Sequence, residues 1–124
     1  MKVSLKFKLL ALPKHEERPG AFLILDLGCT KLVRGFLIRN THNAFHHDRG
    51  TQRFNIFGAA EELDEEDEVD WEVLVDDQLE EPRYQNPIPV KVFTLDQPKK
   101  IRLVRFVVLS YYGSGGGLQY FGYF

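Results

Sequence analysis

At 124 residues, with one cysteine and a formal charge of −2, the chain fits a single domain over 1–124, long enough to bury a core without metal or disulfide staples. Cys29 alone closes no intrachain disulfide, and no apolar stretch reaches the ~20 residues of a membrane-spanning helix, so no transmembrane segment is expected. The charge is uneven: residues 61–82 hold thirteen acids and no base, whereas 1–60 hold ten bases against four acids and 83–124 six against one. Bases scattered singly beside so acidic a stretch exclude nucleic acid as a partner.

In chain order the first block is "VSLKFKL" (3–9), where Val3, Leu5, Phe7 and Leu9 alternate with polar residues as on a strand with one wet face. Lys6 and Lys8 cut this run too short for a secretory leader, so the chain reads as cytoplasmic. Further blocks stand at 22–27, 31–40, 51–57, 71–75, 90–95, 101–110 and 118–124, which predicts about eight strands. The segments between them, "GCT", "HNAFHHDRG", "PRYQNPIP", "DQPKK" and "YGSGGG", have the chemistry of turns. No block has the length and 3.6-residue period of a helix, and residues 59–70 read as a solvated acidic loop without the ligand spacing of a calcium site. The fold class is therefore all-β, an antiparallel sandwich or barrel. Blocks 22–27 and 101–110 are apolar on both faces and belong in its centre, and Trp71 is expected to anchor the core.

"NTHNAFHHDRG" (40–50) concentrates His42, His46, His47, Asp48 and Arg49. His42 and His46 share a face only on a helix, and the flanking blocks are strands, so no metal site is predicted. His47 and Asp48 are neighbours whose side chains diverge on extended backbone, and no nucleophile turn accompanies them. Asp48 and Arg49 read as a pair that locks the loop. In "YYGSGGGLQYF" the glycines lead into a strand rather than a helix, which excludes a phosphate cradle; Gly113, Gly115, Gly116 and Gly117 are expected in conformations closed to other residues. Of Tyr111 and Tyr112, one should enter the core and the other stay at the rim. The sequence implies no cofactor.

Laid end to end, "PGAFLILDLG", "GFLIRN", "DRGTQRFNIF", "WEVLV" and "IRLVRFVVLS" resemble the discoidin-like domains, also called coagulation factor five/eight C-type domains, over about residues 19 to 124. The resemblance implies a jelly-roll β-sandwich that acts as a non-catalytic binding module, not an enzyme, taking glycans, lipid headgroups or protein partners through loops at one end. The loops at 40–50 and 111–118 hold that position, which makes His42, His46, His47, Arg49 and Tyr112 the expected contacts for a carbohydrate or similar polar ligand. In the fucose-binding lectin branch the first of these loops carries two arginines and an aspartate. Here Arg49 matches the second arginine, while Thr41 and Asn43 stand at the other two positions. The Asn/Asp-Gly-rich loop that supplies calcium ligands in relatives has no counterpart, because about eighteen residues precede Pro19. A sandwich shortened at its front exposes an edge, so a homo-oligomer is expected, a dimer or tetramer with Val3, Leu5, Phe7 and Leu9 at the contact. The alternative is a scaffold that binds protein partners and no small ligand.

Overall fold

The computed structural model describes residues 8–11 (backbone only), 20–42, 49–61, 69–82 and 87–124. They form six strands: β1 (Lys8–Ala11), β2 (Phe22–Asn40), β3 (Arg53–Ala59), β4 (Glu72–Gln78), β5 (Lys91–Val108) and β6 (Leu118–Tyr123). All ladders are antiparallel, in the order β1-β2-β5-β3-β4, with β6 on β2. The expected count of about eight is corrected to six because blocks 22–27 and 31–40 are one strand, as are 90–95 and 101–110. "GCT" and "DQPKK" bend a strand instead of ending it.

The pairing register gives the cause. Asp26 faces Leu103 and Lys31 faces Ile101, so β2 carries the surplus residues there; Val33 faces Lys99 and Gly35 faces Thr94, so the surplus then passes to β5. Two bulges in opposite strands bend the ladder without breaking it. The first turns at Gly28, whose φ of +90° suits glycine and whose N–H donates to Asp26 Oδ1 at 2.9 Å. Arg102 closes the corner, its Nε and Nη2 donating to the two carboxylate oxygens of Asp26 at 3.0 and 3.3 Å. Such a forked pair fixes geometry even where its net stabilisation is small.

The bend turns one continuous sheet into two facing layers. One layer contains β1, the first half of β2, the second half of β5, β3 and β4; the other contains the rest of β2 and β5 with β6. Between them the Phe54 ring meets Phe93 edge-on at 5.2 Å and stacks with Phe106 at 5.4 Å, while Phe121 of β6 packs on Phe106 at 5.8 Å and on Phe36 at 5.7 Å. Val33, Ile38, Ile56 and Val104 complete a core closed to water. As the sequence suggests, β2 and β5 are central. Trp71 is a correction: it precedes β4, is half-buried and stands outside the core, whose nearest β4 members are Leu74 and Val75. Ala59 ends β3, and residues 62–68 of the acidic loop lie outside the described residues. Among the described residues no helix is long and apolar enough to cross a membrane. Of the expected interface row, Val3, Leu5 and Phe7 lie outside the described residues, and Leu9 sits in β1 opposite Leu25.

Candidate functional site

Both loops singled out in the sequence pass from one layer to the other at the same end of the sandwich. The segment after Asn40 connects β2 to β3, and the segment after Val108 connects β5 to β6. Backbone bridges join them, Arg49 to Gly115 and Thr51 to Tyr111. The Gly50 N–H donates to the Gly115 carbonyl at 2.9 Å, the Tyr112 N–H donates back to the Gly50 carbonyl at 2.7 Å, and the Gln52 N–H donates to the Ser110 carbonyl at 2.9 Å.

Beneath this ribbon lies a buried polar clasp that sequence reasoning missed. Thr51 is wholly buried and Asn40 is 4% exposed. Asn40 Oδ1 accepts from the Thr51 and Thr41 N–H groups at 2.9 and 3.0 Å, and Asn40 Nδ2 donates to the Thr51 carbonyl at 2.8 Å and the Glu80 carbonyl at 3.4 Å. The Thr51 hydroxyl donates to the Gly117 carbonyl at 3.0 Å and accepts the Gly117 N–H at 3.3 Å. Each buried polar atom named here has a partner, as low dielectric demands. A third segment joins the cluster: the Leu79 N–H donates to the Gln52 carbonyl, and the Tyr112 hydroxyl donates to the Leu79 carbonyl, both at 2.8 Å. It hides in the sequence because Leu79 lies between the strand block 71–75 and the turn segment "PRYQNPIP", with partners far along the chain.

Of the expected contacts, Arg49 and Tyr112 stand on the two backbone stretches that pair here, Arg49 bridging Gly115 and the Tyr112 N–H bonding the Gly50 carbonyl, while His42 is half-buried. His46 and His47, with Asp48, lie outside the described residues. Tyr111 packs against the core and Tyr112 remains at the rim, as expected of the pair. The glycine expectation needs correcting: of the four, only Gly113 has positive φ, at +71°. At Gly117 a Cβ would crowd the Thr41 methyl at 3.0 Å. Among the described residues no group of three or more His, Cys, Asp or Glu could hold a metal ion.

Burial, and after it the Glu81 carboxylate, raise the Tyr112 phenol above the ordinary tyrosine value of 10.0. Folding therefore favours the protonated form, and the associated stability is complete below that value. As pH rises past it, the unfolded chain gives up its proton first and stability falls. Tyr112→Phe is expected to lower stability by about 1 kcal/mol at neutral pH, through the lost hydrogen bond, and to flatten the decline above about pH 10. Urea unfolding of both proteins across that range measures this; parallel curves would refute it.

No family model and no curated protein matches the sequence. Solved structures do match. The family 32 carbohydrate-binding module of NanJ from C. perfringens, in complex with galactose, superposes with a TM-score of 0.64 at 13% identity over 84% of this chain and 66% of that one. The family 32 module of AlyQ, in complex with 4,5-unsaturated mannuronic acid, gives 0.65 at 12% identity over 97% and 94%. A third such module from Clostridium perfringens, in complex with GalNAc-β-1,3-galactose, gives 0.64 at 15% over 88% and 68%. The chain has the discoidin-like β-sandwich fold. Within that discoidin-like fold the Asn40–Thr51 clasp sits where the connecting loops join the two layers. The chain spans 66% of the NanJ module and nearly all of the AlyQ module.

Proposed function

We propose that the chain is a non-catalytic module that holds a carbohydrate on the platform formed by loops 40–50 and 111–118. The observation that carries this reading is the backbone pairing of Arg49, Gly50 and Thr51 with residues 111–115, which supports a shared base for Arg49 and Tyr112. A preorganised base lowers the ordering cost that a sugar site on loose loops would meet. Arg49 supplies forked donors for ring hydroxyls or a carboxylate, and Tyr112, with its hydroxyl tied to Leu79, offers an apolar ring of fixed position. The discoidin-like neighbours hold galactose, GalNAc-β-1,3-galactose and an unsaturated uronic acid, which points the search at galactosides and uronates. Glycan-array screening followed by calorimetric titration tests it. Arg49→Ala is expected to weaken the bound glycan about tenfold or more, the range for a charge-assisted hydrogen bond. Equal affinity in wild type and variant would remove these loops from the site.

A second reading, a self-associating scaffold, has its own support. Among the described residues β1 is an edge strand with one ladder used, and Val73 on the opposite edge strand β4 is 55% exposed. Open edges of this kind favour pairing with another chain. Light scattering at micromolar concentration is expected to report at least twice 14.4 kDa, with Phe7→Asp lowering the mass. A steady monomer mass would end this reading and leave the carbohydrate platform untouched.

A further inference from the structure

Beside the platform an apolar crevice opens between the layers, with a volume of about 220 Å³. Its walls are Ala21, Phe22, Leu23, Phe106, Val108 and Leu118, and its lip is Thr51 with Gly116 and Gly117. The lip is shared with the platform: the same Gly117 backbone that borders the crevice exchanges both hydrogen bonds with Thr51 in the clasp. Phe106 and Val108 are core residues, so the crevice reaches down to the interior of the sandwich. The space equals that of about seven waters at ~30 Å³ each, yet the walls give water almost nothing to bond. The Thr51 hydroxyl, which is the side-chain polar group at the lip, is already engaged with Gly117. A Cβ at Gly116 would lie 3.0 Å from Val108 Cγ1, a tight contact at the lip.

We infer that the crevice receives the apolar tail of an amphipathic glycoconjugate whose sugar rests on the adjoining platform, an inference that builds on the carbohydrate reading above. A polar head is served by Arg49 and Tyr112, and an alkyl or acyl chain by a dry slot a few residues away along the same loop. A ligand with both parts gains from each at once. A wholly polar ligand entering the slot would be stripped of water with no replacement partner.

The test uses the full chain labelled for NMR, with methyl β-galactoside and octyl β-galactoside as probes, the latter below its micellar concentration. Octyl β-galactoside is expected to move the amide signals of Ala21, Val108 and Gly116 and to bind about tenfold or more tightly than the methyl compound. Ala21→Leu, which fills the slot, should abolish that advantage while methyl binding stays unchanged. Should the variant not fold, the signal map on the wild-type chain decides alone. Equal affinities, or no movement at the crevice residues, would overturn the inference. Crevice signals that move with the octyl compound while methyl galactoside binds nowhere would keep the slot and reject the galactoside platform.

Discussion

Asn40→Ala is expected to destabilise the protein by about 3 kcal/mol. The substitution strips partners from the Thr51 N–H and carbonyl, and Thr51 is wholly buried. Each buried group left unsatisfied costs roughly 1–3 kcal/mol. Asn40→Asp supplies the control. It retains the acceptor for the Thr51 and Thr41 N–H groups but cannot donate to the Thr51 and Glu80 carbonyls, against which it sets a buried charge. It should therefore be no better than alanine at neutral pH. Urea midpoints converted to free energies, with circular dichroism to confirm a retained sheet, measure both variants. A loss under about 0.5 kcal/mol for Asn40→Ala would mean that the clasp holds nothing.

Phe54→Ala is the second substitution of large effect, expected to cost about 3–5 kcal/mol. Phe54 is fully buried in β3 and touches Phe93 from one layer and Phe106 from the other, so its removal opens a void where the layers meet. Domains of this size are stable by about 5–15 kcal/mol in total, so a loss of this size removes roughly a fifth or more of it. Phe54→Leu, which keeps most of the volume, should lose under about 2 kcal/mol. Guanidinium denaturation separates the two; similar losses for leucine and alanine would show that ring stacking, rather than filled volume, is what matters there.

The strands were legible because a two-residue alternation reports a strand's faces directly. What stayed hidden was continuity. A glycine or proline that punctuates a turn also suits a bulge, and the difference lies in the partner strand: Gly28 bends β2 because Leu103 and Ile101 of β5 are paired on either side of the bulge. Asn40 was visible as the end of a strand motif, but its role depends on Thr51 and Glu80, eleven and forty residues away. Arg49 and Tyr112 could be named from composition and resemblance, and the sixty-odd residues between them in sequence are bridged only by the crossing of β3, β4 and β5. Trp71 misled because large aromatic residues usually lie inside; here Phe36, Phe54, Phe93 and Phe106 already fill the space between the layers.

Two strands that run through both layers leave the molecule without a seam along which it can come apart. In amide-exchange terms, protons of the first layer and of the second should be released together by one global opening. A ligand gripping both loops then acts as a clip across the open end. The stretch near Asn40 continues one layer and the stretch near Tyr111 continues the other, so a molecule bound there would slow exchange at Phe36 and at Phe106 by the same factor.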